Sequence, residues 1–161
     1  MLPTFDRIGN LPPGIHFAEW GEFVLRYSGT ARRRRLLVGL RQALVALVSA
    51  GCGLAYIDGS FVTIKEEPGD FDACWSVQDV DGDLLDPVFL EFDNGRAAQK
   101  ALFGGELFPA ELPEGASGKV FLDFFQTDRE TGNRKGIVAI ALDIAELIAT
   151  DPDNDIDRKS R

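Results

Sequence analysis

Asp70 and Asp72 are the residues of this 161-residue chain whose type and spacing most directly suggest chemistry. On a strand, residues two apart point to the same face, with Cα atoms roughly 6.5 Å apart. Two ionised carboxylates so placed repel by roughly 2–3 kcal/mol at an effective dielectric of 20. A divalent cation converts that repulsion into binding. Phe71 then points the other way, into a core. Upstream, Gly59 and Ser60 follow a short apolar run. A Gly beside a Ser suits a tight exit from a strand, where the backbone must approach a ligand closely. Asp123 is a third carboxylate, set among Val120, Phe121, Leu122, Phe124 and Phe125. A carboxylate there is expensive to bury unless it is paired or bound to metal. On a strand beside that of Asp70 and Asp72, it can join them on one face. Glu91 and Asp93 compete for that place, being also two apart and next to an apolar run; Asp123 is preferred. Three such groups suit a pair of divalent ions ~3.5–4 Å apart, and Mg²⁺ (or Mn²⁺) favours their oxygen ligands. Lys65, Arg96, Lys100, Arg134 and Lys135 are the cations that could contact phosphates. Lys135 stands out because it opens a strand near the site.

The elements that must position these residues follow from periodicity. Trp20, Phe23, Val24 and Tyr27 recur at helical spacing, which predicts a short helix over 18–27. Thr30 is an N-cap for the strongest helix, 31–50, with Leu36, Leu37, Leu40, Leu44, Leu47 and Val48 as its apolar stripe and Gly51 as its stop. Residues 54–57 read as a first strand and 70–76 as a second, with Phe71, Ala73 and Trp75 on one face and Asp70, Asp72 and Cys74 on the other. Residues 87–92 read as a strand or an extended segment, and 95–103 as a helix ended by Gly104 and Gly105. The Gly- and Pro-rich residues 104–118 read as a long loop. Residues 119–126 read as a strand from their Val and Phe content, joined through 127–134 to an antiparallel partner at 135–142. The fold class expected is α+β, a small mixed or antiparallel sheet with helices mainly on one face. The expected organisation is an N-terminal arm and short helix over 1–30, the main domain over 31–150, and an acidic, disordered tail over 151–161.

Composition narrows the functions. The net charge of −9 weighs against non-specific nucleic-acid binding. The one histidine, His16, leaves no Ser-His or Cys-His arrangement to build on. Cys52 and Cys74 lack the spacing of a zinc or redox pair. No apolar run is long enough to span a bilayer, and residues 1–6 do not resemble a secretory signal, so no membrane partner is expected and the cytoplasm is the default. The run Arg32 to Arg35 covers more than 300° of a helix, so it is not one contact face. It is expected to solvate the first turn, with some room for an acidic partner or RNA phosphate.

The pattern apolar-Gly59-Ser60, a spacer over 61–69, then Asp70-Phe71-Asp72-Ala73 resembles the signature of the DNA polymerase β-type nucleotidyltransferase superfamily. The match covers about residues 31–126. The chain also resembles an uncharacterised family of short bacterial proteins assigned to that fold, in residues 11–16, 59–65, 68–75, 94–100 and 121–126. What the superfamily resemblance implies is specific. Gly59 and Ser60 would hold the triphosphate of an NTP, with Lys65 and Lys135 as further phosphate contacts. Asp70, Asp72 and Asp123 would bind the ions, and Asp123 would help deprotonate an attacking hydroxyl. The acceptor would be a protein or RNA hydroxyl, as for similar small enzymes of bacterial toxin–antitoxin pairs. The alternative is a module of the same fold that binds a nucleotide or partner without turnover.

Overall fold

The structure, a computed structural model, describes residues 1–154. The apolar stripe of the long helix dictates its centre. Helix α2 (Ala31–Ser49) buries Leu36, Leu37, Leu40, Leu44 and Leu47. Thr30 caps it, its side chain accepting the Arg33 N–H, a contact worth about 1 kcal/mol. Gly51 leaves it at φ +97°. Replacing Leu40, which has no exposed surface, by Ala would cost roughly 2–5 kcal/mol.

Against this helix lies a five-stranded mixed sheet in the order β1-β5-β2-β3-β4. Its strands are β1 (Gly14–Ala18), β2 (Leu54–Asp58), β3 (Phe71–Trp75), β4 (Gly105–Pro109) and β5 (Gly136–Ala141). Strand β2 runs antiparallel to β3 and β5, whereas β1 is parallel to β5 and β4 is parallel to β3. Alternation sorts the side chains. Ala55, Ile57, Phe71, Ala73, Trp75, Leu107, Val138 and Ile140 join the large core with α1 (Trp20–Tyr27), α2, α3 (Asp93–Phe103) and α5 (Ile144–Ala149). Tyr56, Cys74, Phe108, Ile137 and Ala139 face the other way, into a smaller cluster beside Phe121, Leu122 and Phe125. The fold is therefore α+β, with helices mainly on one face.

Several elements differ from the sequence reading. The first thirty residues are not an appendage: β1 completes one side of the sheet, and Arg26 donates to the Pro3 carbonyl. Residues 87–92 contain a 3-10 turn, Pro87–Leu90, capped by the Asp86 carboxylate. Residues 119–126 are not a strand. Phe121–Phe124 form one helical turn, α4, because Phe121 and Phe125, four apart, both cover the smaller cluster. Strand β5 consequently pairs with β1 and β2, not with 119–126. The loop expected over 104–118 opens with β4. Gly105 belongs to that strand because a Cβ there would overlap the Phe71 carbonyl. Of the expected tail, residues 151–154 form a turn with Pro152 buried; residues 155–161 lie outside the described residues.

Candidate active site

Strand register sets the site. Asp58 on β2 pairs with Asp72 on β3, and Asp72 pairs with Glu106 on β4. Three carboxylates thus stand in one row across three neighbouring strands, whose spacing is about 4.8 Å. They share the face of Cys74 and Phe108, opposite the helices. Asp70 stands just before β3, two residues ahead of Asp72 along the chain and so displaced along the strand direction from that row.

Gly59 makes the row possible. It turns out of β2 at φ +73°, and a Cβ there would collide with the Asp72 carboxylate. Gly59–Val62 form a 3-10 turn, closed by the Thr63 hydroxyl on the Ser60 carbonyl at 2.7 Å. The segment beyond is held by arginines. Arg33 is buried and donates to the carbonyls of Phe61 (2.6 Å), Thr63 (2.9 Å) and Lys65. Its guanidinium also sits 4.9 Å from the Phe61 ring centroid. Arg32 donates to the carbonyls of Pro68 and Gly69. The Arg32–Arg35 run therefore does more than solvate a helix end: two of its members clamp the segment between Ser60 and Asp70.

Burial and mutual repulsion govern the electrostatics. Asp58 is fully buried and neither carboxylate oxygen has a hydrogen-bond partner. Burial first, then the Asp72 charge, push it well above the usual carboxylate range, against a pull from Lys135. Asp72 is pushed up to about 7 by burial, then by Asp70 and Glu106. Asp70 is raised by burial and by Glu106, with Lys100, Arg32 and Lys65 opposing. Burial alone would raise Glu106 too, but hydrogen bonds from Arg96 and Lys100 outweigh it and hold it low. Arg96 donates to Glu106 Oε1 from Nε (3.2 Å) and Nη2 (2.9 Å), and Lys100 Nζ lies 3.1 Å from the same oxygen. Arg96 is delivered by a left-handed stretch, Asn94, Gly95 and Arg96, all at positive φ. For non-glycine residues that conformation is strained, and such strain concentrates at functional sites.

These groups line a cleft of about 1230 Å³. Asp58, Gly59, Ser60, Asp70, Asp72 and Lys135, with Arg96 and Glu106, form its polar wall. Of the residues expected from sequence, Lys65 lies outside the lining but near enough to lower Asp70. Lys100 is engaged by Glu106, and Arg134 donates to Gln126. Asp123 does not join the row. It is exposed on α4, outside the cleft lining, because the phenylalanines of that turn take the inward side. Glu91 and Asp93 are also exposed and outside the lining. Sequence reasoning missed Asp58 and Glu106. The signal for Glu106 was the alternation Glu106-Leu107-Phe108, masked by the two preceding glycines and Pro109. Asp58 closes the apolar run of β2 directly before Gly59, where no spacing to another carboxylate marks it.

The donor set is all carboxylate, which suits a hard cation such as Mg²⁺ or Mn²⁺. As the side chains stand, no three of His, Cys, Asp or Glu converge on one point among the described residues. Glu106 is shared between Asp72 on one side and Arg96 and Lys100 on the other, so an ion held by Asp72 and Glu106 competes with both cations. The unpartnered oxygens of Asp58 are the observation that fits a cation.

The chain belongs to the family of unknown function DUF6932, matched over residues 3–141. No curated protein and no solved structure matches it.

Proposed function

We propose that this protein is a nucleotidyltransferase, moving a nucleoside monophosphate from an NTP to a protein or RNA hydroxyl with Mg²⁺ or Mn²⁺. The acceptors include the partner of a toxin–antitoxin pair. The observation that carries the reading is the row Asp58, Asp72, Glu106, in which the buried Asp58 carboxylate has no partner for either oxygen. Burying a carboxylate without a partner is costly whether it keeps its charge or takes up a proton, and Asp58 and Asp72 are both raised accordingly. A cation on the row, with Asp70 two residues ahead of Asp72 along the chain, lets these carboxylates ionise and relieves that cost. Glu106, and not Asp123, is the third carboxylate of the site in this reading.

The chain's own residues then have distinct tasks. The Gly59 turn offers backbone N–H groups and the Ser60 hydroxyl to the β- and γ-phosphates. Lys135 lines the same cleft and supplies positive charge to them. Arg96 and Lys100, once released by Glu106, add to it. Asp72, at the centre of the row, would hold the ion through its carboxylate and position the attacking hydroxyl beside it. The acceptor oxygen bonds to the α-phosphorus while the bond from that phosphorus to the bridging oxygen breaks, and pyrophosphate leaves with the electron pair. A bound divalent ion would supply charge stabilisation to the phosphoryl oxygens.

Calorimetry with Mn²⁺, alone and with a non-hydrolysable NTP, tests the site. Metal-dependent NTP binding that drops at least about tenfold in Asp72→Asn and in Glu106→Gln is expected. NTP binding that ignores both the metal and these substitutions would contradict it.

A further inference from the structure

The carboxylate cleft has a second, apolar wall. Phe92, Phe108, Phe121, Phe124 and Phe125 all line it. Four of these rings form a stack. Phe92 and Phe108 are nearly parallel (6°) at 6.0 Å, Phe108 and Phe121 lie 4.7 Å apart at 18°, and Phe125 packs on both Phe108 and Phe121. The stack is buried at Phe108 but reaches solvent at Phe92, which is 38% exposed. Phe92 thus leaves part of its ring open to solvent at the end of an ordered stack.

The stack is tied to the acidic row. Phe108 and Glu106 share one face of β4, two residues apart, hence about 6.5–7 Å between Cα atoms. The Arg96 guanidinium that holds Glu106 also lies 5.6 Å from the Phe108 ring centroid. One cleft thus presents, side by side, a cation-seeking carboxylate row, cationic side chains and a flat aromatic surface. The ligand class that matches all three is a nucleotide, with metal-bound phosphates at one end and a planar base at the other.

Resting on the nucleotidyltransferase reading, we propose that the Phe92–Phe108–Phe121 stack is the base subsite, binding the base through its face. Stacking is tolerant of base identity because every base has a π face. The larger purines stack over more area, so purine nucleotides are favoured over pyrimidine nucleotides without either being excluded.

The test titrates the full chain, with Mg²⁺, against three probes: a non-hydrolysable ATP analogue, the matching CTP analogue and inorganic tripolyphosphate. The expected order of affinity is ATP analogue, CTP analogue, tripolyphosphate. Phe92→Leu keeps apolar bulk but removes the ring. It should weaken the ATP analogue about tenfold and leave tripolyphosphate unchanged, and Phe92→Tyr should restore the loss. Circular dichroism checks that the variants fold. Tripolyphosphate binding as tightly as the ATP analogue, or Phe92→Leu matching the native chain for that analogue, overturns the base subsite while leaving the metal-phosphate reading intact. No metal-dependent binding of any probe overturns both.

Discussion

Asp72 is the residue on which most of the site's physics meets. Its folded pKa of about 7 lies above the ordinary 3.8. Between those values the folded protein keeps a proton that the unfolded chain has lost. Stability without metal therefore falls as pH rises from about 4 to about 7, by up to roughly 4 kcal/mol for a shift of this size. Asp58, also raised, adds to the same slope. Glu106, held low, acts in a separate window and loses its contribution only as pH falls below the usual carboxylate range. Thermal melts across pH should show this decline in metal-free protein, a flatter profile in Asp72→Asn, and recovery on adding Mn²⁺. A second change tests the backbone beneath it. Gly59→Ala forces a side chain into a left-handed turn and against the Asp72 carboxylate. It should cost about 1–3 kcal/mol and abolish metal binding measured by calorimetry. At this scale the shared location of Asp70, Asp72, Gly59 and Ser60 in one cleft was readable from their spacing. Asp58 and Glu106 were not, because their roles come from register between strands, which is a non-local property. Asp123 misled because Phe and Val favour strands by propensity, whereas burial of Phe121 and Phe125 on one side of a helical turn decided the outcome.

At the scale of elements, α2 and the segment it clamps form one unit. Arg33 satisfies three carbonyls of the segment after the Gly-Ser turn from a single buried guanidinium. Hydrogen bonds from a charged donor are worth about 1.5–3 kcal/mol each, with little additivity expected. Arg33→Met keeps much of the side chain's bulk and removes the donors. It should lower stability by roughly 2–4 kcal/mol in denaturant titration and raise amide exchange selectively over residues 59–70. An unchanged exchange pattern would mean that the segment is held by its own turns. Helix α2 itself was legible from its stripe, cap and terminal glycine, since all three are local. The sheet's outer strands were not. Strand β1 is short and follows two prolines, and β4 follows Gly104 and begins with Gly105, so turn chemistry hid both. Gly105 is there because of the Phe71 carbonyl across the strand, a contact that no sequence window contains.

For the molecule as a whole, the two faces of the sheet divide the labour. The helix face carries the large continuous core, and the other face carries a small aromatic cluster beside an open polar cleft. No described helix is long and apolar enough to cross a membrane. Stability resides mostly in the first face, and ligand response should appear on the second. A metal–nucleotide complex present at a hundred times its dissociation constant adds about 2.7 kcal/mol. For a chain of this size that raises Tm by roughly 5–10 °C. Differential scanning fluorimetry should show the rise with Mg²⁺ and NTP together and a much smaller one with either alone.

The most direct measurement uses two labels on the same nucleotide. The protein is incubated with Mg²⁺ and a lysate supplying acceptors, once with NTP labelled at the α-phosphorus and once with NTP labelled at the γ-phosphorus. Nucleotidyl transfer places the α-label on a macromolecule and releases the γ-label in pyrophosphate, and Asp72→Asn and Glu106→Gln abolish the incorporation. Incorporation of the γ-label, or α-label incorporation that survives both substitutions, would contradict the account.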